Sequence, residues 1–205
     1  QGVELREEQV AANEKQADEI PTSKRPSWVC GDSRELGKLT GKGKVDLVFS
    51  CPPYGNLEKY SKDERDLSNM TQADFLKAYR EIITEALGKL KANRFAVFMV
   101  GDYRGKDGYP QNFVSETIDA FSAAGGRLYN SAIYLQMIGS LPLRVRKIFQ
   151  GGRKLGKAHQ NLLVFFKGDQ KKIKAEFGEV DLPEEADEEF GEELELSNLA
   201  GDLSE

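Results

Sequence analysis

Residues 44–56 read KVDLVFSCPPYGN, an apolar run that ends in two consecutive prolines, a tyrosine and a glycine. Val45 to Ser50 has the composition of a short buried strand. The chain then leaves the sheet through Cys51-Pro52-Pro53-Tyr54. Proline cannot donate to a sheet ladder, fixes its own φ, and restricts the residue before it. The exit is therefore extended, stiff and poor in N–H donors. Its carbonyls stay available to accept hydrogen bonds from another group, and the rest of the chain has to say which group.

On either side, strand-like and helix-like segments alternate. Arg6 to Ile20 is a good helix by propensity and stops before Pro21. Residues 27–32, SWVCGD, read as a strand turning at Gly31-Asp32. Residues 71–91 carry apolar side chains at Phe75, Leu76, Tyr79, Ile82, Ile83, Ala86, Leu87 and Leu90, one buried helical stripe. Thr71, with Asp74 three residues on, suits the N-cap. Residues 94–102 are almost wholly apolar, which predicts a strand buried on both faces. Residues 112–126 read as a helix with a glycine stop, and 127–137 and 160–169 as two late strands separated by a basic, glycine-rich segment. This alternation predicts a doubly wound α/β sheet, mostly parallel, with an antiparallel C-terminal edge. Ligands of such sheets bind at the carboxyl ends of the strands, where Asp32, Cys51 to Tyr54 and Asp102 fall.

The 205 residues carry a net charge of −5, which conceals two populations. Residues 175–205 hold thirteen of the 34 acidic residues and no base, leaving 21 acids against 29 bases, a net +8, before them. Residues 120–168 contain eight bases and no acid. A field of that sign favours a polyanion such as nucleic acid, although a solvated Lys- and Arg-rich loop has the same composition. Residues 1–170 are read as the domain and 171–205 as an acidic, disordered tail. No run of about 18 apolar residues occurs. Two cysteines, Cys30 and Cys51, make a disulfide framework improbable and point to a reducing cytoplasm. No Cys/His grouping has metal-ligand spacing.

A hydrophobic strand followed by a small polar residue, Pro, Pro and an aromatic resembles the signature of S-adenosylmethionine-dependent methyltransferases that modify exocyclic amino groups of DNA bases. In that family the form is Asp, Asn or Ser before Pro-Pro and an aromatic. Two acceptors aimed at the amino hydrogens favour a more tetrahedral nitrogen with an available lone pair. The resemblance implies that the Pro52 carbonyl and the side chain of Cys51 are those acceptors, that Ser50 contacts the cofactor or makes up for the weak thiol, that Pro53 holds the turn, and that Tyr54 stacks on a base swung out of the duplex. It implies that Glu4 holds the cofactor's ribose hydroxyls and Asp32 contacts its adenine. Residues 152–168 resemble the late basic loop and closing strand of bacterial and phage modification methylases. Arg144, Arg146, Lys147, Arg153, Lys154 and Lys157 are then expected at DNA phosphates. The resemblance covers residues 1 to about 170.

Two departures qualify it. Cys51 stands where the family has Asp, Asn or Ser, and a thiol is a weak acceptor. Burial of Cys51 as a small inert residue, or attack by its sulfur on cytosine C6, are the competing readings. The family's glycine-rich cofactor loop after its first strand has no match here. That strand is expected to be missing, to be supplied by an upstream segment or a separate chain. Rival readings are an RNA or protein-glutamine methyltransferase, and a non-catalytic nucleic-acid-binding or scaffold domain. Asn56, Tyr60, Ser61 and Asn69 are expected to close over a target base, or to serve as ordinary loop chemistry. Trp28 and His159 are read as structural, with adenine stacking and phosphate contact as their alternatives, and Asp102 as a turn residue.

Overall fold

A computed structural model describes residues 1–55, 57–139 and 141–180. The chain divides into two units, Gln1–Gln170 and Lys171–Glu205.

In the first unit, β1 (Gly2–Glu4), α1 (Glu7–Glu19) and β2 (Trp28–Cys30) form one β-α-β crossover, with β1 and β2 parallel. The packing of Trp28 against Gly2, where an added Cβ would lie 2.6 Å from the indole, accords with its structural reading. A short helix, α2 (Leu36–Leu39), precedes β3 (Val45–Ser50). The long helix α3 (Gln72–Lys89) then leads into β4 (Leu90–Val100), which pairs parallel with β3. The Thr71 hydroxyl accepts from the Asp74 N–H at 3.2 Å, the expected N-cap. At the other end the Lys167 ammonium donates to the carbonyls of Leu87 and Leu90, at 2.6 and 2.8 Å. These are carbonyls a helix terminus leaves without an internal partner.

A two-stranded hairpin, β5 (Tyr103–Arg104) with β6 (Pro110–Gln111), was not expected from the sequence, and α4 (Phe113–Ala123) follows it. The late strands β7 (Arg127–Leu135) and β8 (His159–Lys167) flank α5 (Leu141–Gly152), a helix where an irregular basic segment was predicted. Glycines at its end and in the turn beyond had hidden a 12-residue amphipathic stretch. The four-stranded sheet runs β3-β4-β8-β7, with β8 antiparallel to both neighbours. Three of its four strands, β3, β4 and β7, run parallel as expected, and the reversed C-terminal strand β8 lies between β4 and β7 rather than at the edge. β4 reaches β7 through the α4 crossover, and after α5 the chain returns as β8 in the place between them.

The core lies on one face of that sheet. Ala96, Phe98 and Val100 of β4 and Leu163 and Phe165 of β8 pack under Phe75, Tyr79, Ile83 and Leu87 of α3 and Phe113 and Phe121 of α4. The Phe121 and Phe165 rings stack at 3.7 Å. The alternate residues of β4, Phe95, Val97 and Met99, remain half-buried, so the strand expected to be covered on both faces is fully covered on one. On β3 the same face shows Leu47 and Phe49, which are 56% and 60% exposed.

In the second unit the described residues include α6 (Ile173–Phe177), a helical turn where the sequence predicted a structureless tail. Residues 181–205, which carry most of that expectation, lie outside the described residues.

Replacing Phe121 by Ala removes the ring at the centre of this core and should lower unfolding free energy by about 3–5 kcal/mol, read by urea denaturation.

Candidate active site

The carboxyl ends of β1, β2 and β3 meet at one cavity of about 350 Å³, within the usual range for a small-ligand site. Glu4 at the end of β1 and Arg6 just beyond it border the cavity, with Asp32 and Ser33 from the turn after β2, Ser50 from the end of β3, and Cys51, Pro52 and Pro53 from the corner that follows. Six of the seven residues expected at the catalytic corner and the cofactor are therefore brought together from three separated segments. Tyr54 is not on that wall.

The acidic members are held by arginines close in sequence. Arg6 donates to Glu4 Oε1 from its backbone N–H at 3.0 Å and from Nε at 3.2 Å. The guanidinium of Arg34 reaches both oxygens of Asp32, with Nε to Oδ1 at 3.1 Å and Nη2 to Oδ2 at 2.6 Å. Asp32 also accepts from the Arg34 N–H, capping a short turn over Ser33–Glu35. Burial disfavours the Asp32 charge, but the Arg34 hydrogen bonds outweigh it and hold the carboxyl below its ordinary value.

Cys51 is exposed rather than buried as a small filler. Partial desolvation pushes its thiol pKa up. A nucleophilic cysteine needs the opposite shift, so the environment favours a neutral thiol at the rim.

The loop after the corner forms the cavity's far side through Tyr60, Arg65, Asp66 and Leu67. Asp66, only 6% exposed, organises it. Its carboxylate accepts from the Ser68 N–H, the Ser68 hydroxyl and the Ser61 hydroxyl, at 2.9, 2.7 and 2.8 Å. Asn69 Nδ2 donates to the carbonyls of Ser61 and Asp63. The side chains of Ser61 and Asn69 thus bond within the loop, the ordinary loop chemistry that competed with a base-covering role. Tyr60 does face the cavity, with the Arg6 guanidinium 5.8 Å from its ring centroid. Asn56 lies outside the described residues. Arg6 and Arg65 were missed in the sequence, where an Arg after Glu-Leu reads as helix-start chemistry; Asp66 to Asn69 reads there as loop and cap chemistry, and Asp66 does cap the turn over Leu67–Asn69.

Tyr54 turns from the cavity toward the core. Its ring lies parallel to Tyr103, centroids 6.3 Å apart, and edge-on to Phe113 at 6.0 Å. Gly55, at φ +55°, is required behind it, because a Cβ there would sit 2.2 Å from the Tyr103 hydroxyl. Asp102 accepts from the Val114 N–H at 2.9 Å near the start of α4, consistent with a turn and capping residue.

The six basic residues do not form one row. Arg144, Arg146 and Lys147 project from α5 and are exposed. Arg153, at φ +53°, turns back to donate to the carbonyls of Phe149 and Gln150. Lys154 lies against Gly108, and Lys157 reaches Gly101 at the end of β4. His159 opens β8 opposite Leu135. Among the described residues no group of three or more His, Cys, Asp or Glu could hold a metal, and no helix is long and apolar enough to cross a membrane.

No family profile matches the chain, and no curated protein matches it. Solved structures do. A protein of Thermus thermophilus provisionally named a DNA modification methylase superposes with a TM-score of 0.50 and 18% identity, over 76% of this chain and 56% of that one. The same protein complexed with S-adenosyl-L-methionine gives the same TM-score and identity, over 76% and 57%. The chain spans little more than half the length of these structures, and the likeness is one of fold: an α/β, Rossmann-like methyltransferase fold.

Alkylation of Cys51 by iodoacetamide should be slow at pH 7 and accelerate only above the ordinary thiol pKa of about 8.5, because burial raises its pKa. Peptide mass spectrometry across a range of about pH 6–10, bracketing that value, checks this; a fast, pH-independent reaction near neutrality would show an activated thiolate instead.

Proposed function

We propose that this chain is the core of an S-adenosylmethionine-dependent methyltransferase that methylates an exocyclic amino nitrogen in DNA, N6 of adenine or N4 of cytosine. The observation that carries the reading is the convergence of Glu4, Asp32 and the Ser50–Pro53 corner on one cavity. The donor set suits a nucleoside-bearing cation. Both Arg6 bonds land on Oε1 of Glu4, so Oε2 is the oxygen to accept ribose hydroxyls. Asp32 adds a second fixed carboxylate, and Leu67, Ile82 and Phe98 supply apolar wall. Bound there, S-adenosylmethionine supplies an electrophilic methyl group.

The chain's own part is to prepare the nucleophile. An aromatic amino group has its lone pair delocalised into the ring. The Pro52 carbonyl, aimed by two fixed φ angles, accepts one amino hydrogen. With a neutral thiol at Cys51, the second acceptor is weaker than a carboxamide or carboxylate, so Pro52 and the neighbouring Ser50 carry more of this work. Such preorganised acceptors act without reorganising at the moment of reaction. The exposed Arg144, Arg146 and Lys147 bind phosphates and hold the duplex.

The reading includes a strand between β1 and β3. Each has a described strand on one edge only, β2 and β4 respectively, and both end at the same cavity. A parallel strand there would pair the free edges and add its own carboxyl end to the site. Crossovers are right-handed. Moving from such a strand to β1 runs opposite to moving from β3 to β4, so its crossover helix would lie on the face opposite α3, over Leu47 and Phe49. A strand and helix in that place would lie outside the described residues.

The decisive test is transfer of radiolabelled methyl to unmethylated duplex DNA by the full-length protein, with the modified nucleoside identified by mass spectrometry. DNA binding without any transfer would replace this reading with a non-catalytic scaffold. Glu4→Ala should weaken S-adenosylmethionine binding about 10- to 100-fold, the loss of a charged hydrogen-bond acceptor, measured by calorimetry. Replacing Arg144, Arg146 and Lys147 by Gln should lower duplex affinity and flatten its salt dependence by about 0.9 in log–log slope for each phosphate no longer neutralised.

A further inference from the structure

The corner at 51–54 has two sides: Ser50 to Pro53 face the cavity of the proposed chemistry, and Tyr54, expected to stack on the target base, lies on the other. There the Tyr54 hydroxyl donates to Oε1 of Gln160 at 2.8 Å, across 106 residues. Gln160 is the second residue of β8. It reaches Tyr54 because β8 runs antiparallel to β4, with Asn161 opposite Val100, so that the start of β8 lies beside the end of β4.

Gly101, the next residue of β4's exit, leaves room at this point. A Cβ built on it would have Lys157 Nζ at 3.5 Å and both Gln160 Cγ and Tyr54 Oη at 3.9 Å. Tyr103 lies parallel to one face of the Tyr54 ring, at 6° between planes. The phenol is therefore fixed at both ends, by the proline corner through its backbone and by the Gln160 amide through its hydroxyl. Burial raises the Tyr54 pKa to about 12, so the hydroxyl keeps its proton and remains a donor at neutral pH.

We infer that Gln160 is a positioning residue that sets the plane of the Tyr54 ring for stacking on the target nucleobase. This rests on the amino-methyltransferase reading. Tyr103 lies parallel to the ring and Phe113 meets it edge-on, and the inference places the base on the part of the ring that these two leave. Without the amide the ring keeps its apolar neighbours but is free to pivot about its side-chain torsions. Lys157, converging on the same point, brings the charge of the basic segment to the place where the displaced nucleotide enters.

The test uses Gln160→Leu, Gln160→Glu, Tyr54→Phe and the Gln160→Leu/Tyr54→Phe double variant in the full-length protein. Gln160→Leu should lower kcat for methyl transfer about 10- to 100-fold, the cost of a misplaced reacting group, with KM for S-adenosylmethionine unchanged. Gln160→Glu keeps an acceptor for the phenol and should retain most of kcat. The double variant should be no worse than the poorer single one. The ring-labelled Tyr54 resonances should change in Gln160→Leu as the ring begins to flip freely. A Gln160→Leu protein with a lower melting temperature but undiminished kcat overturns the inference, as do multiplicative losses in the double variant. Absence of transfer by the wild-type protein sinks the functional reading instead, and the ring resonances then decide the positioning role: unchanged signals refute it.

Discussion

The stiff exit from β3 is the constraint on which the site depends. Parallel pairing with β4 brings Ser50 opposite Phe98, and two prolines then forbid the chain from continuing as a ladder strand. Backbone direction is set at that point by ring closure rather than by contacts that a ligand would have to compete with. The consequences run in two directions. Ser50, Cys51, Pro52 and Pro53 are delivered to the cavity that Glu4 and Asp32 also border. Tyr54 is delivered to the opposite side, where Phe113, Tyr103 and Gln160 receive it. Gly55 completes the corner, since no other residue accepts its positive φ so close to the Tyr103 hydroxyl.

Charge in this fold is divided between structure and surface. Lys167 satisfies carbonyls at the end of α3, and Arg153 folds onto the end of α5. Arg34 holds Asp32, and Arg6 holds Glu4 while approaching the face of Tyr60. A count of bases along the sequence treats all of these alike. The structure separates those that answer a helix terminus or a carboxylate from those, such as Arg144, Arg146 and Lys147, that stand in solvent.

The sheet is unevenly clothed. Under α3 and α4 its residues are buried to near completion, and a run of aromatic rings links β4, β8 and both helices. The alternate residues meet fewer neighbours, and β3 presents Leu47 and Phe49 to solvent. An apolar strand with one free edge is an invitation to pairing. That unevenness and the position of the cavity are linked, because both lie where β1 and β3 face each other without a described strand between them.

The sequence by itself determined what short-range chemistry controls. The helical stripe from Phe75 to Leu90, the Thr71 cap, the strand ending at Ser50 and the Pro-Pro exit follow from periodicity and from backbone restrictions that hold in any context. It pointed to residues 4, 32 and 50–53 as one site through resemblance to a family pattern, and their common cavity is where the fold places them. Tertiary structure alone decided the rest. Gln160 meets Tyr54 only because β8 returns antiparallel, Asp66 becomes an organising group only when Ser61 and Ser68 are folded around it, and β4 is buried on one face because a strand's apolar content does not say which neighbours will cover it. Those contacts join residues distant in sequence, and no local preference encodes them.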